Sequence, residues 1–141
     1  MCSVVSKTLV PVLAAVLVSP VAARAQCSVN TVIVSGRVDH ANAHASVRVR
    51  LVYPKRKPGE SGEVTVEEGS FRIPVEYVTQ QSSILTNLPP RCGRKPQTVV
   101  VSLLENGQQS DEVSLDFLKS FKMADASAYA LRSELVLHGS Q

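Results

Sequence analysis

The sequence predicts an all-β protein, a two-layer antiparallel β-sandwich. Three observations lead there. Apolar and polar residues alternate at period two through much of residues 26–141. Turn-forming Gly, Pro and Asn-Gly breaks divide the chain into roughly six or seven short strands. No alternation of strand and helix signals a parallel sheet. Each sheet then has one apolar face to cover, and a second sheet supplies the cover.

Residues 1–25 read as a secretory signal peptide. Lys7 gives a short positive region, and an apolar run over 9–21 is broken only by Pro11, Ser19 and Pro20. Ala23-Arg24-Ala25 places small residues where a signal peptidase reads them. The run is too short and too proline-rich for a membrane span. The expected product is one exported domain, 26–141, periplasmic or secreted. Removing Lys7 and Arg24 leaves thirteen Lys and Arg against twelve Asp and Glu. That near-neutral balance argues against a dedicated nucleic-acid binder.

Cys2 lies in the signal, so Cys27 and Cys92 form an even pair. In an oxidising compartment the simplest expectation is a disulfide between them. Gln26 precedes Cys27, where a lipoprotein signal places a small residue, so the junction reads as ordinary secretory cleavage.

The strands follow in order. Val32 and Val34 alternate with Ile33 and Ser35, and Gly36-Arg37-Val38 continues the run. Val47, Val49, Leu51 and Tyr53 share one face, with Ser46, Arg48 and Arg50 on the other. Lys55-Arg56-Lys57-Pro58-Gly59-Glu60-Ser61-Gly62 is expected to form a turn or mobile loop. Val64 and Val66 mark a short strand over 63–67, and Glu68-Gly69 turns it into a second over 70–78. These two are expected to pair as a hairpin. Pro74 lacks an N–H, so the second strand belongs at a sheet edge. Its Arg72 and Glu76 should discourage edge-to-edge association, which predicts mostly monomer.

Residues 79–96 lack periodicity and read as a long crossover pinned by the disulfide, and their length also makes them the main candidate for a functional loop. Val99, Val101 and Leu103 alternate with Val100, Ser102 and Leu104, and apolar residues on both faces suggest a central strand covered on its second face or a crowded edge of the core. Asn106-Gly107 is a turn. Residues 110–122 are ambiguous between strand and helix, with a short helix expected near 114–122. Residues 128–137 form a last strand.

Val34-Ser35-Gly36-Arg37-Val38, followed by Ala45-Ser46-Val47-Arg48-Val49-Arg50-Leu51, resembles the opening of carboxypeptidase regulatory-like and transthyretin-like domains. Glu68-Gly69-Ser70-Phe71-Arg72-Ile73 is similar to their turn into a Phe-containing strand. The chain departs from the family at Asp39-His40-Ala41-Asn42-Ala43-His44, where a Gly-x-Pro is common. The resemblance covers the first half of residues 26–141. It implies an immunoglobulin-like or transthyretin-like sandwich acting as an accessory or scaffold module, with no catalytic residues to carry over. The absence of Trp removes one immunoglobulin core marker and leaves the sandwich open.

Motifs for chemistry are sparse. His40 and His44 lie in a loop with Asp39, which reads as a solvated turn rather than a metal site. No Gly-x-Ser-x-Gly elbow is present. Glu67-Glu68 and Asp111-Glu112 are adjacent pairs, and neighbours on a strand face opposite ways, unlike glycosidase acids. No enzyme activity, cofactor or metal is expected.

Two basic groups are the candidate anion-binding residues: Lys55, Arg56 and Lys57, then Arg91, Arg94 and Lys95. Interleaved aromatics for stacking nucleic acid are missing. The expected function is a non-catalytic structural or protein-interaction module engaging an extracytoplasmic protein. The alternative is a binding protein for a small ligand or polyanion, such as an acidic glycan or anionic surface, using these loops.

Overall fold

A computed structural model describes residues 27–55, 59–80 and 93–140. The expected signal peptide, Arg56, Lys57, Arg91 and Cys92 lie outside the described residues.

Among the described residues, nine strands and one short helix form two packed sheets. β1 (Cys27–Asp39) is the spine of the first. Its alternate residues Val32, Val34 and Val38 are buried, because period two turns them to one face. β4 (Ser70–Gln80) pairs antiparallel along β1 and buries Phe71, Ile73, Val75 and Tyr77. β8 (Ala128–Leu131) and β9 (Leu135–His138) both pair with the other side of β1, in parallel. β7 (Phe121–Met123) closes that side against β8.

The second sheet runs in the order β3 (Ser61–Thr65), β2 (Ala45–Val52), β5 (Thr98–Glu105), β6 (Gln108–Asp116). All its pairings are antiparallel. β5 is interior, and Val99, Val101 and Leu103 are fully buried against the first sheet. Val100 and Leu104 are buried on the reverse face as well, so the apolar character of both faces follows from the strand's central position.

The all-β, two-layer sandwich is as the alternation implies. Three local expectations change. The 63–67 and 70–78 strands are not a hairpin, because β3 pairs with β2 while β4 pairs with β1. Glu68 and Gly69 do make a tight turn, with φ of 52° and 71° and reciprocal backbone bonds between Glu67 and Ser70. The turn acts as a corner that carries the chain from one sheet to the other. The expected last strand is broken in two. Its pairing with β1 is parallel, so the first sheet is mixed.

The ambiguous stretch resolves into β6, then α1 (Phe117–Ser120), then β7. Asp116 caps α1 by accepting a bond from the Lys119 N–H at 3.0 Å. One helical turn is too short to be stable alone. Phe117 holds it, buried among Tyr77, Phe121 and Tyr129.

β4 stands at the end of its sheet, as Pro74 requires. Gly62 of β3 packs against it. A Cβ there would lie 3.1 Å from Ile73 Cγ2 and 3.3 Å from Val75 Cγ2. The missing side chain thus lets the edge of one sheet close over the edge of the other.

Candidate functional site

The strand registers decide where the predicted basic residues meet. β2 ends where β5 begins, with Val52 opposite Thr98 and the Gln97 N–H donating to the Val52 carbonyl at 2.9 Å. Lys55 follows this row, and Arg94 and Lys95 precede it. All three therefore sit at one end of the sandwich, and all are exposed. Lys119 joins that end through α1, because Asp116 also lies opposite Thr98. Leu118 beside it is exposed. Lys95 Nζ lies 5.4 Å from the centre of the Tyr129 ring, a cation–π contact that fixes its position.

Nearby carboxylates are occupied elsewhere. Glu60 accepts a bond from the Tyr53 hydroxyl at 2.6 Å. Glu63 accepts from Ser46 and from two nitrogens of Arg48. The Ser46 hydroxyl, then Arg48, hold the Glu63 carboxyl below its ordinary range. Among the described residues, neither acid forms an ion pair with Lys55. Arg48 is thereby taken out of the basic surface, while Arg50 remains exposed on the same strand face.

Cys27 opens β1 beside this end and pairs across to Gln80. Gly93, with φ of 99°, lies close to Val78, and a Cβ on it would meet the Val78 carbonyl at 2.8 Å. Val78 is opposite Val29, two residues from Cys27.

The far end of the sandwich gathers His40, His44 and His138 with Asp39, Glu105 and Asp111. These groups hold the chain rather than converge on a centre. The His138 N–H donates to Asp111 at 2.8 Å. Glu105 is buried and accepts from the Ser140 hydroxyl and, at 2.9 Å, from the Ser140 N–H. Those two bonds, the hydroxyl first, lower its pKa. Among the described residues, no group of three or more His, Cys, Asp and Glu could hold a metal ion.

A second basic site is absent from the sequence reading. Residues 132–134 leave the ladder between β8 and β9, and an open depression of about 670 Å³ forms there. Arg37, Arg72 and Arg132 line it, with Glu134 as the one carboxylate. These residues come from three distant segments, so the pairings of β1 with β4, β8 and β9 bring them together.

Comparison with protein-family models, with curated proteins and with solved structures finds no match.

Proposed function

We propose that this chain is a non-catalytic, exported interaction module that docks an acidic protein surface with the basic end of its sandwich. The observation that carries this reading is the register placing Lys55 at the same end as Arg94 and Lys95. Exposed cations steer encounter and fix orientation, and the exposed Leu118 adds apolar contact beside them. The resemblance to carboxypeptidase regulatory-like domains points the same way, towards an accessory module. The module acts as a monomer, since Pro74 interrupts the donors of the β4 edge and charged Arg72 and Glu76 alternate along it.

Export and a Cys27–Cys92 disulfide belong to this proposal. Residues 1–25 support the first. Two facts support the second: Cys27 is not a free thiol, and Gly93 sits beside Val78, near the start of β1. One peptide link, about 3.8 Å between Cα atoms, connects Gly93 to Cys92. Intact-mass analysis of the exported protein is expected to give residues 26–141 less two hydrogens, with alkylation only after reduction. Two free thiols, or a lipid on Cys27, would remove this part of the reading.

The docking itself is tested by capture from the native extracytoplasmic fraction at increasing salt. One acidic protein should be retained at low salt and lost as salt rises. Replacing Lys55, Arg94 and Lys95 together with Gln should weaken its binding about tenfold or more. Retention of a sulfated glycan in place of a protein would favour the polyanion alternative. Binding unaffected by either salt or the triple change would reject the basic end as the site.

A further inference from the structure

We propose that the break between β8 and β9 is a binding site for a small organic oxyanion, a carboxylate or phosphate carried on an apolar body. The inference stands on the sheet break and is independent of the basic end.

The site arises from how β1 is shared. β8 pairs with Thr31 to Ile33, and β9 resumes at Gly36. Val34 and Ser35 are left without a strand partner on that side. The depression opens at this gap, and three arginines and one glutamate line it, an excess of two positive charges. Planar guanidinium forks match the paired oxygens of a carboxylate or phosphate.

Two of the three arginines are held in place. The Arg132 backbone N–H donates to Ser120, and its Nε donates to the Phe121 carbonyl at 3.1 Å. Arg37 Nε lies 2.9 Å from Glu134 Oε1, with both side chains more than half exposed. An exposed pair of this kind is weak, so an incoming anion can displace Glu134. The Arg72 side chain has no hydrogen-bond or ion-pair partner among the described residues. Half-buried Leu131 supplies apolar lining, which gives the ligand's body a contact that a bare inorganic ion lacks.

The test is a titration of the purified full chain, followed by amide NMR, with benzoate and phenyl phosphate as probes. Saturable shifts are expected at Ser35, Gly36, Arg37 and Ser133. The tighter of the two probes identifies the head group. Acetate and inorganic phosphate should bind about tenfold more weakly than their aromatic counterparts, for want of the apolar body. Arg72→Gln should weaken binding about tenfold or more. Glu134→Gln should tighten it, since the competing carboxylate is gone. Neutralising Lys55, Arg94 and Lys95 should leave it unchanged, which separates this site from the basic end. Absence of saturable shifts, an equal response to neutral benzamide, or unaltered binding by Arg72→Gln overturns the proposal. Inorganic phosphate binding as tightly as phenyl phosphate overturns the requirement for an apolar body.

Discussion

Gly36→Ala is expected to detach β9 from β1 and destabilise the protein by roughly 2–4 kcal/mol. A Cβ at this position would lie 2.2 Å from the Leu135 carbonyl oxygen and 3.0 Å from Phe71 Cζ. The first obstacle is backbone, so no rotamer change relieves it. β9 must move, and Leu137, which is fully buried beside Val38, moves with it. Thermal unfolding should show Tm falling by about 10 °C or more. Hydrogen exchange should show lost protection across Leu135–His138. Gly107→Ala is the control, because its added Cβ meets nothing within 4 Å and only the φ of 77° opposes it. Wild-type protection of β9 in the Gly36 variant would show that the two strands are less tightly joined than the geometry implies.

Phe117→Ala is expected to cost about 3–5 kcal/mol. Phe117 is almost fully buried and stands where the chain leaves the second sheet for the first. Its ring packs edge-on to Tyr77 at 6.3 Å, stacks on Phe121 at 5.5 Å and tilts against Tyr129 at 5.0 Å. Removing it leaves a cavity shared by three aromatic rings and takes away the buried side chain of a helical turn otherwise held only by hydrogen bonds. Urea denaturation measures the loss, and the near-ultraviolet signal of Tyr77 and Tyr129 should collapse with it. Phe117→Leu fills much of the same volume and should recover more than half of the lost stability. If leucine were no better than alanine, ring geometry rather than filled volume would be the stabilising element.

Local pattern was legible wherever one face of a strand is buried. Val47, Val49 and Leu51 alternate with Ser46, Arg48 and Arg50, and β2 has that burial. Pro74 gave the edge position of β4 because a missing N–H is a property of one residue. Pairing partners were another matter. Glu68-Gly69 has the same turn chemistry whether it closes a hairpin or turns a corner between sheets, and the difference lies in what β1 and β2 offer the two arms. The break at 132–134 was hidden for a similar reason. Tyr129, Leu131, Leu135 and Leu137 keep one parity across it, so alternation alone reads through the gap. The candidate sites share this limit. Lys55 and Arg94 could be singled out as basic, but their meeting depends on the β2–β5 register. Arg37, Arg72 and Arg132 gave no local signal at all.

The parallel alliance of β1 with β9 has a kinetic consequence. Gly36 and Leu135 are roughly a hundred residues apart in the chain, and closing so long a loop is entropically costly before any contact rewards it. β1 and β4 can associate much earlier, since only about forty residues separate them. During that interval the opposite side of β1 is bare, with Val32, Ile33 and Val34 on an unpaired ladder that another chain can join. The strand at the centre of the first sheet is thus the last to be completed. The folding protein is most vulnerable to aggregation through a strand whose Val32 and Val34 end in its core.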